Sequence, residues 1–313
     1  MIIDMHIHIW RPEYIPLPIR WAFAEQAAFK RLPFRNPADI LPKVTRGVSD
    51  PDGIYTIRDM DRAGIDAAVC LSVDFGVLAG QEPEVSIDQI HEHYSQLQRK
   101  YSGRLYAFAS VDPRRKNGME IFERAVDELG LRGLKLYTPC GFYPYDEACK
   151  PFYRKCLDAG LPVVFHTAVS GYPFLGWFAN PLYICQVQRE YPQLTIILAH
   201  AGYRAWWEEA VVVARDHPHT YLELSQWGEY ALNNPEDFIK KLAYMRESVG
   251  AHRILFATDY MAGPAITEEK SIWPRWVQFF KNLPTTASKY GFKFTEEEVN
   301  LMLGGNAQRI LKI

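Results

Sequence analysis

Several features that would assign the protein to another class are missing from its sequence. No run of about 18 apolar residues is present, so we predict no membrane-spanning helix. The formal net charge of −2 argues against nucleic acid or an anionic membrane as the main partner. The five cysteines contain no Cys-x-x-Cys pair and are odd in number, as expected for free thiols in a reducing compartment. Residues 1–10 lack the apolar core of a secretory leader, and we therefore predict a cytoplasmic protein.

Apolar and helical segments alternate along the chain, and this alternation predicts the fold. The apolar segments are short and rich in Val, Ile and Leu, which is typical of parallel strands covered by helices on both faces. Eight strands are predicted, at residues 2–10, 67–73, 105–111, 131–137, 162–166, 194–200, 220–225 and 253–258. They predict an α/β protein with a (β/α)₈ TIM barrel, in a single domain over residues 1–313. A doubly wound sheet is the alternative, but no glycine-rich phosphate-binding fingerprint follows the first strand.

Residues 11–55 interrupt the alternation with a segment rich in Pro, Trp and Phe. We interpret the segment as an insertion with short helices, because long loops of compact domains are usually lids or interfaces. Aromatic residues make up 14% of the chain, which favours buried cavities and apolar interfaces. The insertion is therefore predicted to be either a lid over the barrel mouth or the contact surface of a homodimer or larger homo-oligomer.

Two histidines on the first strand, His6 and His8, suggest a metal site. Residues two apart on a strand face the same side, so both imidazoles point together toward whatever the strand borders. A divalent metal is the partner that two converging imidazoles favour. A solvated strand face is the alternative at this point.

The other predicted strands carry polar side chains at their carboxyl ends, where (β/α)₈ barrels have their active sites. These residues are Lys135, His166, His200, Glu223, Ser225 and Asp259. Taken singly, each has an ordinary structural explanation, such as a buried histidine bonded to a carbonyl or an aspartate that caps a loop. Together with the two histidines of the first strand they predict a metal site with its catalytic groups at one rim.

Four short motifs carry a family resemblance. In chain order they are Asp4-x-His6-x-His8, Val-Phe-His166-Thr, Leu-Ala-His200-Ala-Gly and Phe-Ala-Thr-Asp259-Tyr. The chain resembles the amidohydrolase superfamily and, within it, the amidohydrolase-related branch that includes aminocarboxymuconate semialdehyde decarboxylase. Segments 133–137, 141–144 and 304–307 match as well, so the resemblance extends over nearly the whole chain. It implies a TIM barrel of the metal-dependent hydrolase type.

The resemblance also implies roles for the residues at the rim. His6, His8, His166 and Asp259 would bind one divalent metal ion, with zinc expected and manganese as the alternative. His200 would be the general acid or base, because imidazole titrates near neutral pH, and Asp259 would share in the proton transfer. A metal-bound hydroxide would then attack a small ester, lactone or amide. A metal-dependent decarboxylase of an aromatic or enoic acid uses the same ligands and is the alternative, and an inactive binding scaffold is a third.

Lys135 leaves the number of metal ions open. In two-metal amidohydrolases a carbamylated lysine on strand 4 bridges the ions, and histidines of strands 5 and 6 bind the second ion. Lys135, His166 and His200 lie on these strands, so a binuclear site is an alternative to a fixed positive charge near the substrate.

Contacts with a small-molecule substrate are predicted for five residues at the same mouth, namely Trp10, Lys135, Tyr137, Arg204 and Tyr260. An arginine there is able to bind a carboxylate through two hydrogen bonds, and the aromatic rings indicate a flat or apolar substrate.

Overall fold

The computed structural model describes residues 1–30 and 32–313, and the strands within these residues form one parallel sheet. The strands are β1 (Ile3–His8), β2 (Ala67–Leu71), β3 (Leu105–Ser110), β4 (Leu134–Leu136), β5 (Val163–His166), β6 (Ile196–Ala199), β7 (Thr220–Glu223), β8 (Ile254–Leu255) and β9 (Tyr260–Met261). Their order in the sheet is β8-β7-β6-β5-β4-β3-β2-β1-β9. From β1 to β8, strands adjacent in the chain are adjacent in the sheet, as a (β/α)₈ barrel requires, and the predicted fold is confirmed.

The eighth predicted strand, residues 253–258, is divided into β8 and β9. β8 pairs with β7, and β9 pairs with β1. Between them, the carbonyl of Phe256 accepts a hydrogen bond from Met5 N at 3.1 Å, and the carbonyl of His6 accepts one from Asp259 N at 2.8 Å. The division occurs where Asp259 has a φ of 64°, in the left-handed region that an extended strand does not use. This segment bonds to strands on both sides and closes the barrel.

Helices alternate with the strands and cover the sheet. They are α1 (Leu17–Phe29), α2 (Pro37–Ile40), α3 (Ile54–Ala63), α4 (Gly76–Ala79), α5 (Ile87–Lys100), α6 (Gly118–Asp127), α7 (Lys150–Ala159), α8 (Ile184–Glu190), α9 (Tyr203–Arg215), α10 (Trp227–Asn233), α11 (Pro235–Val249), α12 (Trp273–Lys281), α13 (Leu283–Ser288), α14 (Glu296–Asn300) and α15 (Asn306–Leu311). Short 3₁₀ turns lie at Pro12–Tyr14, Leu41–Lys43, Arg46–Val48, Thr138–Cys140, Glu147–Cys149, Gly176–Ala179, Pro181–Tyr183, Ala251–Arg253 and Glu268–Lys270, and a π-helical turn lies at Leu301–Gly305. Among the described residues, none of these helices has the length and apolar character needed to cross a membrane.

Local chemistry explains where several helices begin and end. Ser86 caps α5 by accepting a hydrogen bond from the backbone of Gln89, whose side chain bonds back to Ser86 N. Thr295 and Glu298 make the same reciprocal cap on α14, as the sequence predicts. Helix α3 ends at Gly64, whose φ of 68° a residue with a side chain adopts at a cost.

The amino-terminal end of the barrel is closed by packing, which leaves the carboxyl end for chemistry. Asn306 opens α15 and is fully buried, and its side-chain nitrogen donates to the carbonyls of Ala251 and Ile254, each at 2.8 Å. Every residue of β1 is buried, so the side chains of this strand face either the helices or the barrel interior. The insertion at residues 11–55 forms α1, α2 and three 3₁₀ turns on the carboxyl side, where Trp10 and Ser49 form a parallel bridge.

Candidate metal centre and active site

A cavity of about 370 Å³ opens at the carboxyl ends of the strands. Polar residues that the sequence predicts at the rim line it together, namely His6, His8, Lys135, His166, His200 and Asp259. They come from β1, β4, β5 and β6 and from the segment between β8 and β9. The barrel therefore gathers in one cavity side chains that are far apart in the sequence.

Three of these side chains present acceptor atoms to one another. His6 Nε2 lies 3.2 Å from His8 Nε2, and Asp259 Oδ1 lies 3.4 Å from the first nitrogen and 3.0 Å from the second. The other nitrogen of His8, Nδ1, is 2.7 Å from the carbonyl of Leu71. A carbonyl only accepts, so His8 carries its proton on Nδ1, and its Nε2 is left with a lone pair.

His6 is oriented in the same way by a carboxylate. Its Nδ1 lies 2.9 Å from Glu223 Oε2, so with Glu223 ionised Nδ1 donates and Nε2 holds the lone pair. Two imidazole lone pairs and the Asp259 carboxylate thus face a common point, which is unfavourable unless a cation lies between them. Nitrogen and oxygen donors of this kind are those that zinc and manganese take, and a carbonyl or carboxylate behind each imidazole is typical of metal-bound histidine. The donor set fits a divalent metal ion.

His166 and His200 form a separate pair. His166 Nδ1 lies 3.1 Å from His200 Nε2, while the other nitrogen of His166 is 3.0 Å from Ser170 Oγ. Among the described residues, the groups whose ligand atoms all lie within 4.8 Å of one another are His6 with His8 and Asp259, and His6 with His200 and Glu223. His166, predicted as a fourth ligand of one ion, belongs to neither group, because its imidazole is turned toward His200.

Charge and burial match these assignments. Burial lowers the pKa of His200 to about 3 and holds the pKa of His6 and His166 well below the usual value, so these imidazoles are neutral and free to accept. Burial would raise the pKa of Asp259, but the neighbouring His6 and His8 hold it well below its ordinary value. Gln226 donates to the outer oxygen of this carboxylate, Asp259 Oδ2, at 2.9 Å.

Lys135 is the lysine predicted at the end of β4. Its side chain is 1% exposed, and Nζ has no hydrogen-bond partner among the described residues. Burial lowers its pKa, while the carboxylates of Asp259 and Glu223 act in the opposite direction. Burial also raises the pKa of Glu223. The cavity wall thus holds an amine that none of the described residues binds.

Asp4 positions the backbone on both sides of the ligands instead of contacting an imidazole. Its carboxylate accepts from His6 N at 3.0 Å, from Thr258 N at 3.1 Å and from Trp273 Nε1 at 2.6 Å. It therefore ties β1 to the residue before Asp259, and so fixes the distance between the two sources of ligands.

Three of the five predicted substrate contacts line the cavity. Trp10 and Tyr137 form part of an aromatic wall beside Lys135, with Trp10 stacked on His8 at 5.1 Å and Tyr137 packed edge-on against His166 at 4.7 Å between ring centroids.

Arg204 and Tyr260 lie elsewhere, which corrects their predicted position. Arg204 is exposed on α9, with its guanidinium 5.2 Å from the centre of the Tyr230 ring. Tyr260 turns away from the cavity, and its hydroxyl donates to Asp59 at 2.9 Å and lies 3.1 Å from Ser271 Oγ. Both follow a predicted strand end in sequence, but Arg204 lies in the first turn of α9 and Tyr260 lies in β9, and neither side chain points into the cavity.

Sequence reasoning gave no role to several residues of the site. Glu223 and Ser225 were recognised only as residues at the end of the seventh strand, and Gln226 and Ser170 carried no signal because amides and hydroxyls are frequent in loops. Phe75 and Phe174 also belong to the aromatic wall. The side-chain alternation along β7 was the signal that points Glu223 inward.

Fold and site define a (β/α)₈ barrel with a candidate divalent-metal centre at the carboxyl ends of its strands. The family model for amidohydrolases matches residues 3–313, so the chain belongs to the amidohydrolase family, a family of enzymes. The family predicted from the four motifs is thereby confirmed. No curated protein matches the chain.

Solved structures share the fold over nearly the whole chain. An uncharacterized TIM-barrel protein from Bordetella bronchiseptica is 22% identical, with 99% of this chain and 98% of that chain covered and a TM-score of 0.68. The 5-carboxyvanillate decarboxylase of Novosphingobium aromaticivorans, complexed with manganese and 4-hydroxy-3-methoxy-5-nitrobenzoic acid, is 16% identical, with 100% and 96% covered and a TM-score of 0.70. A probable 2-pyrone-4,6-dicarboxylic acid hydrolase from Acinetobacter baumannii, with citric acid bound, is 13% identical, with 100% and 99% covered and a TM-score of 0.59.

Proposed function

We propose that the protein is a metal-dependent hydrolase of a small ester, lactone or amide. The observation that supports this most is the convergence of His6 Nε2, His8 Nε2 and Asp259 Oδ1 with no donor between them. These three residues would hold one divalent ion, zinc by our proposal, with manganese as the alternative because a decarboxylase of the same fold contains it. Bound there, such an ion would lower the pKa of water and polarise a carbonyl oxygen.

The chain's own residues would transfer the proton and orient the metal ligands. His200 is neutral, its Nδ1 is held by Ser225, and it would accept and return the proton at Nε2. Gln226 would keep Asp259 Oδ2 occupied, so that Oδ1 remains turned toward His6 and His8. Asp259 would share in the proton transfer through Oδ2 when the amide of Gln226 moves away.

The substrate would lie against the aromatic wall. Trp10 offers a flat surface beside His8 and Tyr137 one beside His166, and Lys135 offers an amine that has no partner among the described residues. A small molecule with a planar part and an anionic group suits this combination.

Decarboxylation of an aromatic or enoic acid is the second candidate, and the same wall favours it. Trp10, Phe75, Tyr137 and Phe174 pack on one another with ring centroids 5.2–6.1 Å apart, and Lys135 beside them would balance a carboxylate. In this reaction a carbon is protonated before CO₂ leaves, and His200 Nε2 would first take up a proton from solvent and then deliver it to that carbon.

A second metal ion is the alternative arrangement of the site. His166 Nδ1 and His200 Nε2 face each other at 3.1 Å, as two ligands of one ion do, and they lie next to the unpartnered Lys135. Burial favours the uncharged lysine that carbamylation requires.

We also propose that the insertion at residues 11–55 acts as a lid, because its helix α1 supplies Phe23 and Gln26 to the cavity and Gln26 donates to the carbonyl of Tyr172 across the mouth. A homodimer is proposed from the exposed apolar side chains Phe29, Leu32 and Phe34 of this insertion and is checked by light scattering. The free thiols support the cytoplasm as its location.

One experiment tests the reaction. Protein stripped with a chelator and reloaded with zinc or manganese is given a panel of lactones, esters, amides and aromatic acids, and cleavage products and CO₂ release are followed in parallel by chromatography and gas analysis. Metal-dependent cleavage without CO₂ supports the hydrolase, and CO₂ release supports the decarboxylase. Equal activity of stripped and reloaded protein would contradict both. His200→Ala is the companion variant, expected to lose turnover in either reaction.

A further inference from the structure

Two residues at the end of β7, Glu223 and Ser225, connect the metal ligand His6 to the proposed acid or base His200. Glu223 is 1% exposed and Ser225 is fully buried. Glu223 Oε2 lies 2.9 Å from His6 Nδ1 and 2.9 Å from Ser225 Oγ. Ser225 Oγ in turn contacts His200 Nδ1. One carboxylate oxygen therefore reaches both imidazoles, one directly and one through a hydroxyl.

The direction of each hydrogen bond follows from what each group is able to donate. In its ionised form Glu223 only accepts, and both His6 Nδ1 and Ser225 Oγ then donate their protons to it. Ser225 has a single proton, and once that proton is given to Glu223, its oxygen is left to accept from His200 Nδ1. Both histidines then carry their proton on Nδ1 and present a bare Nε2 to the cavity.

We propose that Glu223 is a positioning residue that sets the tautomers of His6 and His200 together, with Ser225 carrying the effect to His200. This inference rests on the proposed function for its consequence, since a bare Nε2 is needed on His6 to bind a metal ion and on His200 to accept a proton. A single side chain then makes the ligand and the acid or base ready at the same time.

The substitution Glu223→Gln should reverse the direction of these hydrogen bonds while the side chain keeps its shape. Glu223 Oε1 accepts from Ser225 N at 2.5 Å, so the amide oxygen stays there and the new NH₂ group takes the place of Oε2. That NH₂ donates to His6 Nδ1 and to Ser225 Oγ. His6 must then move its proton to Nε2, and Ser225 must donate to His200 Nδ1, which moves the proton of His200 to Nε2 as well.

The substitution Ser225→Ala separates the effect of Glu223 on His6 from its effect on His200. It leaves the bond between Glu223 and His6 in place, and it removes the link to His200 together with the longer contact of Ser225 Oγ with His6 Nδ1 at 3.3 Å. Metal affinity should therefore stay near that of the natural protein, while His200 loses its fixed tautomer. The matched control is Asp59→Asn, another buried carboxylate exchanged for an amide, which contacts Arg58 and Tyr260 but no imidazole.

The test uses the full-length protein with two readouts. Mn²⁺ affinity is measured by electron paramagnetic resonance titration, and histidine tautomers are read from two-bond ¹H–¹⁵N spectra of metal-free protein labelled with ¹⁵N-histidine. We expect Glu223→Gln to bind Mn²⁺ about 10–100-fold more weakly and to shift the protons of both histidines to Nε2, with Asp59→Asn unchanged in both. Ser225→Ala should alter only the His200 signals.

Two results would overturn the inference. One is a Glu223→Gln variant with unchanged Mn²⁺ affinity and unchanged tautomers. The other is a Ser225→Ala variant that loses Mn²⁺ affinity as strongly as Glu223→Gln does. If the natural protein itself binds no Mn²⁺ or Zn²⁺, the proposed function fails, but the spectra of the metal-free protein still decide which tautomers Glu223 imposes.

Discussion

Replacing Lys135 by methionine should make the protein more stable. The side chain is 1% exposed, and its nitrogen has no hydrogen-bond partner among the described residues, so the folded state carries the cost of an ammonium removed from water. Methionine has a similar length and fills the same volume without the charge. Lys135→Met therefore removes a cost and creates no cavity.

The expected gain in stability is estimated from buried charges in other proteins. Replacing buried ionic groups by apolar side chains of similar volume stabilises proteins by about 1–4 kcal/mol. With an entropy of unfolding of about 2.1 cal/mol/K per residue, 1 kcal/mol corresponds to about 1.5 °C in Tm for a chain of 313 residues. We expect Lys135→Met to melt about 1.5–6 °C higher at pH 7.

The gain should depend on pH in a defined direction. Burial lowers the pKa of Lys135 below its ordinary value of 10.5, so the unfolded chain binds more protons than the folded one between the lowered pKa and 10.5. The natural protein therefore gains stability as pH rises through that window, whereas the methionine variant lacks this term. The difference between the two should be largest at neutral pH and should shrink toward pH 10.5.

Urea denaturation of both proteins at several pH values measures the difference. Lys289→Met, at an exposed lysine, is the control and should change stability little at any pH. The reasoning that Lys135 is an unpaired buried ammonium would be contradicted by either of two results. One is a Lys135→Met protein that is less stable than the natural one, and the other is a gain in stability that is the same at every pH. Loss of two metal ions together with stability would instead support a carbamylated lysine bridging a binuclear site.

Other predictions concern the metal, the histidine pair and acid stability. Reloaded protein should hold close to one equivalent of zinc or manganese per chain by elemental analysis, whereas two would indicate the binuclear site. In the one-ion arrangement His166→Ala and His200→Ala should keep the metal and lose turnover, but with two ions each should lower the metal content from two to one. Burial lowers the pKa of His91 to about 4 from 6.5, so the unfolded chain binds more protons between these values. His91 alone should contribute about 3 kcal/mol to the loss of stability between pH 6.5 and 4 in urea titrations, so His91→Gln should lose about that much less than the natural protein over this range.

The order of strands and helices follows from the sequence because the strands are largely buried on both faces and are therefore mostly apolar. The break within the eighth strand was not predicted. Phe-Ala-Thr-Asp has the composition of a strand end, and nothing local shows that Asp259 adopts a left-handed conformation to reach His6 and His8. That conformation is set by β1, which lies at the other end of the sequence.

The residues that lie in the cavity are easier to predict from the sequence than the contacts that they make with one another. Strand ends and residue types brought His6, His8, His200 and Asp259 to one cavity, as the structure does. The pairing of His166 with His200, and the contact of Glu223 with His6, depend on rotamers and on neighbours across the barrel. Arg204 was misplaced because sequence spacing does not give the direction of a loop.

The contact between β1 and the segment around Asp259 determines when, during synthesis of the chain, the site can form. In the sequence, 254 residues separate Asp4 from Thr258, which it binds. At roughly 5–20 residues per second, a ribosome needs about ten seconds to a minute to cover that length. Throughout this interval the nascent chain already carries His6 and His8 but not the Asp259 carboxylate, so the proposed metal centre is complete only after synthesis has passed the last strand.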